Sequence, residues 1–168
     1  MQRLIRDVPD FPKKGIIFKD ITPLLRDPTG LKHAVDLLVT PFRDVGVTAV
    51  VGMESRGFIF GVPVAEKLGV GFVPVRKPGK LPAAVVREEY ALEYGTDSLE
   101  MHKDAVNSAD RVLVVDDLLA TGGTAAATVN LIRQVGAEVI GLGFVIELGF
   151  LAGREKLAGL DVKSLIVY

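Results

Sequence analysis

The 168-residue sequence contains no cysteine, which excludes thiol nucleophiles, iron–sulfur clusters and thiolate zinc sites. Histidine is scarce: His33 and His102 are the two present, and two scattered imidazoles do not assemble a metal site. Neither sign of charge is in excess. Twenty Lys and Arg stand against 21 Asp and Glu, for a net charge of -1, so nothing points to nucleic acid as a partner. Local basic clusters remain available for phosphates. No apolar run approaches the roughly 18 residues of a membrane span. The opening MQRLIRDVPDFPKKG lacks the apolar core of a secretory leader. Repeats and low-complexity tracts are missing as well. The expectation is a cytoplasmic, membrane-free, single-domain chain over 1–168. A chain of this length buries about 68–70% of its unfolded surface without a disulfide or metal staple.

What is present is a series of strand-length apolar runs separated by helical spacing. Residues 1–26, with Pro9, Pro12 and Pro23, read as an irregular segment. Asp27-Pro28 has the form of a helix N-cap followed by Pro at the first helical position, and Leu31, Val35, Leu38 and Phe42 follow at helical spacing. Val47 to Val51 reads as a buried strand. A helix from Ser55 to Leu68 is stopped by Gly69, and Phe72 to Val75 forms the next strand. Residues 76–95 make a long polar excursion, with a mobile hairpin expected over 85–94. Then come a strand over Val112 to Val115, a helix over Ala125 to Val135 ended by Gly136, and a strand over Val139 to Ile146. A short helix over Gly149 to Leu157 and a last strand over Leu165 to Val167 complete the chain. The strands are continuous apolar runs rather than alternating ones. This predicts an α/β fold with a central, mostly parallel sheet covered by helices on both faces. Ligands in such sheets bind beyond the carboxyl ends of the strands, where Glu54-Ser55-Arg56-Gly57 and the Asp116 to Thr124 loop are expected.

The run VLVVDDLLATGGT, Val112 to Thr124, carries the most chemistry. Ala120-Thr121-Gly122-Gly123-Thr124 leads into a helix. Its glycines let backbone N–H groups turn inward, and the helix start and Thr hydroxyls add to an anion site suited to a phosphate. The loop has no Lys followed by Ser or Thr, so it is not a nucleoside-triphosphate P-loop, and it lacks G-x-G-x-x-G. Asp116 and Asp117 cannot bind phosphate. They can accept hydrogen bonds from vicinal hydroxyls, as carboxylates do from ribose. Two acids alone would be an ordinary solvated strand end; joined to the phosphate loop they describe a site for a phosphorylated sugar.

This run resembles the 5-phosphoribosyl-1-pyrophosphate motif of type I phosphoribosyltransferases. DFPKKGIIFKDITPLL (Asp10 to Leu25), GMESRGFIFG (Gly52 to Gly61), RKPGKLP (Arg76 to Pro82), YALEYG (Tyr90 to Gly95) and ELGFLAGREKL (Glu147 to Leu157) extend the resemblance to the adenine phosphoribosyltransferase family, in the same order over nearly the whole chain. The sugar-phosphate motif specifies the superfamily. The N-terminal segment and YALEYG point to adenine.

The resemblance implies a reaction that joins adenine N9 to ribose C1 and expels pyrophosphate, giving AMP. It implies a small N-terminal hood over 1–26, a flexible lid over 76–95 and a homodimer. Asp116, Asp117, Ala120, Thr121, Gly122, Gly123 and Thr124 would hold the ribose 5-phosphate. Charge building on the leaving group calls for cations, and Ser55, Arg56, Arg76, Lys77 and Lys80 are the pyrophosphate candidates, although a basic run is also what any solvated loop presents. Mg²⁺ is the implied cofactor, held mainly through substrate oxygens and water rather than by strong protein ligation. Glu93 is the implied catalytic acid–base group near the purine, alongside Arg56, with Tyr94 in the lid; the residues themselves do not separate Glu93 from the surface acids Glu88 and Glu89. Ile17, Phe18, Lys19 and Leu148 are the implied adenine residues. Phe18 would stack on the base with Leu148 on the opposite side, and the Ile17 backbone would read the purine edge. Lys19 stands where many relatives carry Arg, and Ala83-Ala84 where relatives usually have Gly. Two other readings remain open from the residues: a phosphoribosyltransferase for hypoxanthine or xanthine, and a phosphoribosyl-pyrophosphate-sensing regulator. The regulator would need a DNA-binding element, and no helix-turn-helix is left over.

Overall fold

A computed structural model describes residues 1–91 and 95–168 of the chain. Two compact units divide it, residues 1–37 and 38–168.

The first unit holds more regular structure than its prolines suggest. Strands β1 (Arg6–Pro9) and β2 (Ile17–Asp20) pair antiparallel, with Val8 opposite Phe18 and Pro9 opposite Ile17. Pro9 is tolerated because it ends an edge strand, where a missing N–H interrupts no ladder. The expected irregular segment is therefore a two-stranded ribbon followed by a short helix, α1 (Thr22–Arg26). The next helix, α2 (Pro28–Val39), begins as the sequence predicts: the Gly30 N–H donates to Asp27 Oδ1 at 2.6 Å, closing an N-cap ahead of Pro28.

In the second unit, β3 (Ala49–Met53), β4 (Gly71–Val75), β7 (Arg111–Leu119), β8 (Glu138–Glu147) and β9 (Val162–Val167) form one parallel sheet in the order β4-β3-β7-β8-β9. Strands β5 (Val85–Ala91) and β6 (Thr96–His102) form a separate antiparallel hairpin. Two helices, α3 (Arg56–Leu68) and α4 (Gly123–Gln134), flank the sheet. Val50, Val51 and Val112 to Val115 are fully buried, as continuous apolar strands covered on both faces should be. Ala49, Val51, Val112 and Val114 pack in one cluster with Ala125, Val129 and Ile132 of α4 and Leu99 and Met101 of β6. The opposite face belongs to α3. There the Phe72 ring fills the space a side chain at Gly52 or Gly61 would need, and it meets Phe58 edge-on at 5.6 Å. Gly69, at φ 71°, ends α3.

The strand order has a consequence for the site. The chain steps outward from β3 to β4 and then returns to place β7 on the other side of β3. The carboxyl ends of β3 and β7 are therefore neighbours at the point where the winding reverses, which is where open α/β sheets bind ligands. Strand β7 also runs further than expected. It continues through both acids to Leu119, pairing Asp116 with Phe144 and Leu118 with Ile146. The segment expected as one short helix over Gly149 to Leu157 is two 3-10 turns, Gly149–Leu151 and Gly153–Leu157. Among the described residues, no helix is long and apolar enough to cross a membrane.

Candidate active site

The end of β3 and the end of β7 open onto one cleft of about 250 Å³, lined by Glu54, Ser55, Arg56, Asp116, Asp117 and residues 118–125. This lies at the small end of ligand pockets and suits a sugar phosphate better than a dinucleotide. Of the residues singled out in the sequence, Ser55, Arg56, Asp116, Asp117, Ala120, Thr121, Gly122, Gly123 and Thr124 all meet here.

At one end lies the start of α4. Its N-cap is Gly122, at φ 77°, and among the described residues no side chain caps the helix. No side chain among the described residues takes up the first-turn N–H groups as a cap, and they carry the positive end of the helix dipole. Gly122 is required twice over. An L side chain rarely adopts its φ, and a Cβ would lie 2.4 Å from the Gly153 carbonyl oxygen. Gly153 is just as confined, since a Cβ there would lie 2.2 Å from the Ala120 carbonyl oxygen. The loop therefore rests directly on the backbone of the second 3-10 turn.

At the other end stand the acids. The Asp116 carboxylate accepts the Asp117 N–H at 2.9 Å and packs against Gly57, where an added Cβ would come within 2.9 Å of Oδ1. Asp117 is 4% exposed, and its Oδ2 pairs with Arg56 Nε at 3.0 Å. Burial pushes the Asp116 carboxyl well above the ordinary carboxylate range, and the neighbouring Asp117 charge adds to the shift. Burial also raises Asp117, but the Arg56 guanidinium opposes it. The pair thus holds two carboxylates together, with Arg56 paired to Asp117, so hydrogen-bond donors arriving from a ligand would relieve it.

The basic loop after β4 is anchored by acids. Glu54, in the cleft wall, accepts Arg76 Nε at 2.9 Å and the Lys77 N–H at 3.0 Å. Glu100 exchanges both backbone hydrogen bonds with Arg76 and accepts the Gly79 N–H at 3.0 Å. Lys77 is paired with Asp97 and lies 3.2 Å from the Tyr90 hydroxyl. Burial draws the Lys77 ammonium down, but the bonds to Asp97 and Tyr90 outweigh it and hold the group above the ordinary lysine value. Lys80 is exposed. Of the four basic candidates, Arg56 lines the cleft and Arg76 reaches its wall through Glu54.

The hairpin β5–β6 lies over α4. Glu88 accepts Asn130 Nδ2 at 2.8 Å and Gln134 Nε2 at 2.6 Å, and the Tyr90 ring lies 3.3 Å from where a Cβ on Gly123 would sit. Glu93 and Tyr94 lie outside the described residues. In the first unit, Phe18 meets Phe11 edge-on at 5.1 Å, and Val8, Phe11, Phe18 and Asp20 line a shallow recess. Lys19 Nζ pairs with Asp7 at 2.7 Å, and Ile17 is 56% exposed. Leu148, half-buried, donates its N–H to the Leu119 carbonyl at 2.9 Å.

The sequence reading gave no role to Glu147 and Arg154. Glu147 is 5% exposed, and Arg154 grips it with two bonds, Nε to Oε1 at 2.7 Å and Nη2 to Oε2 at 2.8 Å. The available signal was an acid closing a strand-length apolar run, with an Arg a few residues on.

Residues 24–163 match the model of the phosphoribosyl transferase domain family. The chain is 60% identical, over 168 residues covering all of it and 97% of the relative, to an adenine phosphoribosyltransferase of Solibacter usitatus. An adenine phosphoribosyltransferase from Thermoanaerobacter pseudethanolicus superposes with a TM-score of 0.96 at 54% identity, covering 99% of this chain and 96% of that one. The Saccharomyces cerevisiae adenine phosphoribosyltransferase, solved with an imino-altritol bisphosphate and adenine, superposes with a TM-score of 0.92 at 42% identity, covering 97% and 94%.

Proposed function

The chain belongs to the adenine phosphoribosyltransferases of the phosphoribosyl transferase domain family, and from that membership we propose that it moves the 5-phosphoribosyl group of 5-phosphoribosyl-1-pyrophosphate to N9 of adenine, giving AMP and pyrophosphate in purine salvage. One observation carries the reading: a pair of adjacent carboxylates and an uncapped glycine helix start share a single cleft. The first takes hydroxyl donors, the second a phosphate, and a ribose 5-phosphate presents both.

In the reaction, N9 forms its bond to C1 as the C1–O bond to pyrophosphate breaks, and the electron pair leaves with pyrophosphate. Residues 120–124 hold the 5-phosphate on backbone N–H groups and Thr hydroxyls. Asp116 and Asp117 accept the ribose hydroxyls, which orients C1 and disfavours free rotation of the sugar. Arg56, with the Ser55 backbone, faces the developing charge of the leaving group; Arg76, Lys77 and Lys80 are the further cations of that anion. Glu93 accepts the proton lost from the imidazole ring as N9 bonds, with Tyr94 in the lid over 76–95. Ile17, Phe18, Lys19 and Leu148 are assigned to adenine, in a hood formed by residues 1–26. A backbone carbonyl that accepts the exocyclic amine would meet a second acceptor in a 6-oxo purine.

Mg²⁺ belongs to the same proposal, and it would be held mainly through substrate oxygens and water rather than by strong protein ligation. When bound, the ion neutralises charge on pyrophosphate. A homodimer and a cytoplasmic location belong to the same proposal, and Ile59 and Val62, exposed on α3, are apolar enough to be covered by a second copy.

The test is product formation from phosphoribosyl pyrophosphate and Mg²⁺ with adenine, hypoxanthine, guanine, xanthine, uracil and orotate in parallel. AMP as the one product is expected. Turnover with another base would overturn the adenine assignment, and binding of the sugar phosphate with no turnover would favour a regulator.

A further inference from the structure

The phosphate loop joins β7 to α4 and rests between them on another piece of backbone. Residues 120–122 lie on the backbone of Gly153 at distances that leave no room for a methyl group on either side. The two backbones are therefore locked together, and a shift of Gly153 would be felt by the loop. Gly153 sits at the head of a 3-10 turn entered through Ala152, at φ 52°, and such a turn is weakly held by its own hydrogen bonds. What fixes it is the next residue. Arg154 makes its fork-to-fork contact with Glu147 at 2.7 and 2.8 Å. It also donates Nη1 to the Val162 carbonyl at 2.9 Å and reaches Ser164 Oγ at 3.4 Å. Its guanidinium thus spans the ends of two neighbouring strands, β8 and β9.

Glu147 is itself tied into the sheet, paired with Leu119 of β7 and Val167 of β9. Its carbonyl accepts the Tyr168 N–H at 2.9 Å, and its side chain is 7% exposed. The pair is not a surface decoration, because removing Arg154 would strand a buried carboxylate. The turn would then have to move to hydrate it, and Gly153 moves with the turn.

We propose that Arg154 and Glu147 are positioning residues for the 5-phosphate loop, clamping the Gly153 backbone beneath Ala120 and Gly122; the assignment rests on the reading of that loop as the phosphate site. Neither residue touches substrate. Their effect is to hold the uncapped N–H groups of α4 at a fixed distance from the acids on β7, so that one sugar phosphate spans both.

The test uses the full chain, with calorimetric binding of ribose 5-phosphate and steady-state kinetics on Arg154→Ala and Arg154→Lys. Lys keeps the charge but loses the fork, so it decides the question if the Ala variant does not fold. The dissociation constant for ribose 5-phosphate and the KM for phosphoribosyl pyrophosphate should rise roughly ten- to hundredfold, the order expected when a binding group drifts by about an ångström. The KM for adenine should stay within about twofold, and Lys should lie between wild type and Ala. Gly153→Ala, which displaces the loop without touching the ion pair, should give the same split. Unchanged ribose 5-phosphate affinity in both Arg154 variants would overturn the clamp. So would equal losses for adenine and sugar phosphate that track a fall in Tm, the mark of general destabilisation. Wild-type protein that fails to bind ribose 5-phosphate would instead overturn the reading of the loop.

Discussion

Asp116 works against the fold. Its carboxyl is raised by burial and then by the Asp117 charge, so the folded state binds a proton more readily than the unfolded chain does. By linkage, the stability it contributes is present near its unfolded pKa and is lost as pH rises through the higher folded value. Asp116→Asn should therefore raise Tm at neutral pH, by roughly 2–4 °C per kcal/mol relieved, and the advantage should shrink as pH is lowered toward the ordinary carboxylate range. The same variant should bind ribose 5-phosphate more weakly. Thermal scans at several pH values check the first, and calorimetry checks the second; a lower Tm at neutral pH would contradict the argument. Glu147 has the opposite sign. The Arg154 bonds hold its carboxyl below the usual range against the pull of burial, so its contribution persists down to pH values below that range. Asp117→Asn should weaken both sugar-phosphate binding and turnover, because it also removes the ion pair with Arg56. Glu93→Gln should mainly lower turnover, which single-turnover kinetics can separate from binding. Much at this scale was legible: the residues of the cleft are contiguous in sequence, 54–56 and 116–125. The partners of the basic loop were not, because Glu54, Asp97 and Glu100 meet Arg76, Lys77 and Gly79 only after β4 and β6 are side by side.

Among the elements, β7 shows why boundaries near function mislead. Charge after an apolar run reads as the end of a strand, yet β7 continues through Asp116 and Asp117 to Leu119. It can do so because Arg56 and a backbone N–H meet the carboxylates and because Leu118 and Leu119 continue the ladder with β8. The starts or ends of α2, α3 and α4 were legible to within a residue or two, since caps are local: Asp27, Gly69 and the glycines at the head of α4 act on their own neighbours; the short α1 and the split of 149–157 into two 3-10 turns carry no such signal. The ribbon of β1 and β2 was hidden by three prolines, and β6 by its mixture of Asp, Ser, Glu and His. Both strands of that hairpin find their register only through each other. At the head of α4, Gly122→Ala should cost roughly 1–3 kcal/mol from overpacking alone, with more from the left-handed backbone, and should weaken sugar-phosphate binding. Denaturant melts and calorimetry on the same samples test both. In the hairpin, Asp97→Asn removes the carboxylate that holds Lys77, and amides of β5 and β6 should exchange faster while those of β7 do not.

At the scale of the whole molecule, the proposed homodimer predicts a sedimentation mass twice that of the chain, and a polar pair such as Ile59→Lys with Val62→Glu should lower it. AMP binds the native state alone on the proposed function, so at 100 times its dissociation constant it should add about 2.7 kcal/mol, or roughly 5–10 °C in Tm. The parallel sheet itself was legible from its continuous apolar runs; the order of its strands was not, because adjacency depends on crossovers that leave no mark in composition. That order puts β7 in the middle, flanked by β3 and β8. Both acids thus ride on the central strand of the sheet, while Ile17 and Phe18 belong to a different compact unit. On the proposed function, three of the four residues assigned to the base, Ile17, Phe18 and Lys19, stand apart in sequence from Asp116 to Thr124, so a change of base would call for substitutions at 17–19 rather than in the sugar-phosphate run. A lineage starting from this chain would be expected to diversify its choice of base long before its choice of donor.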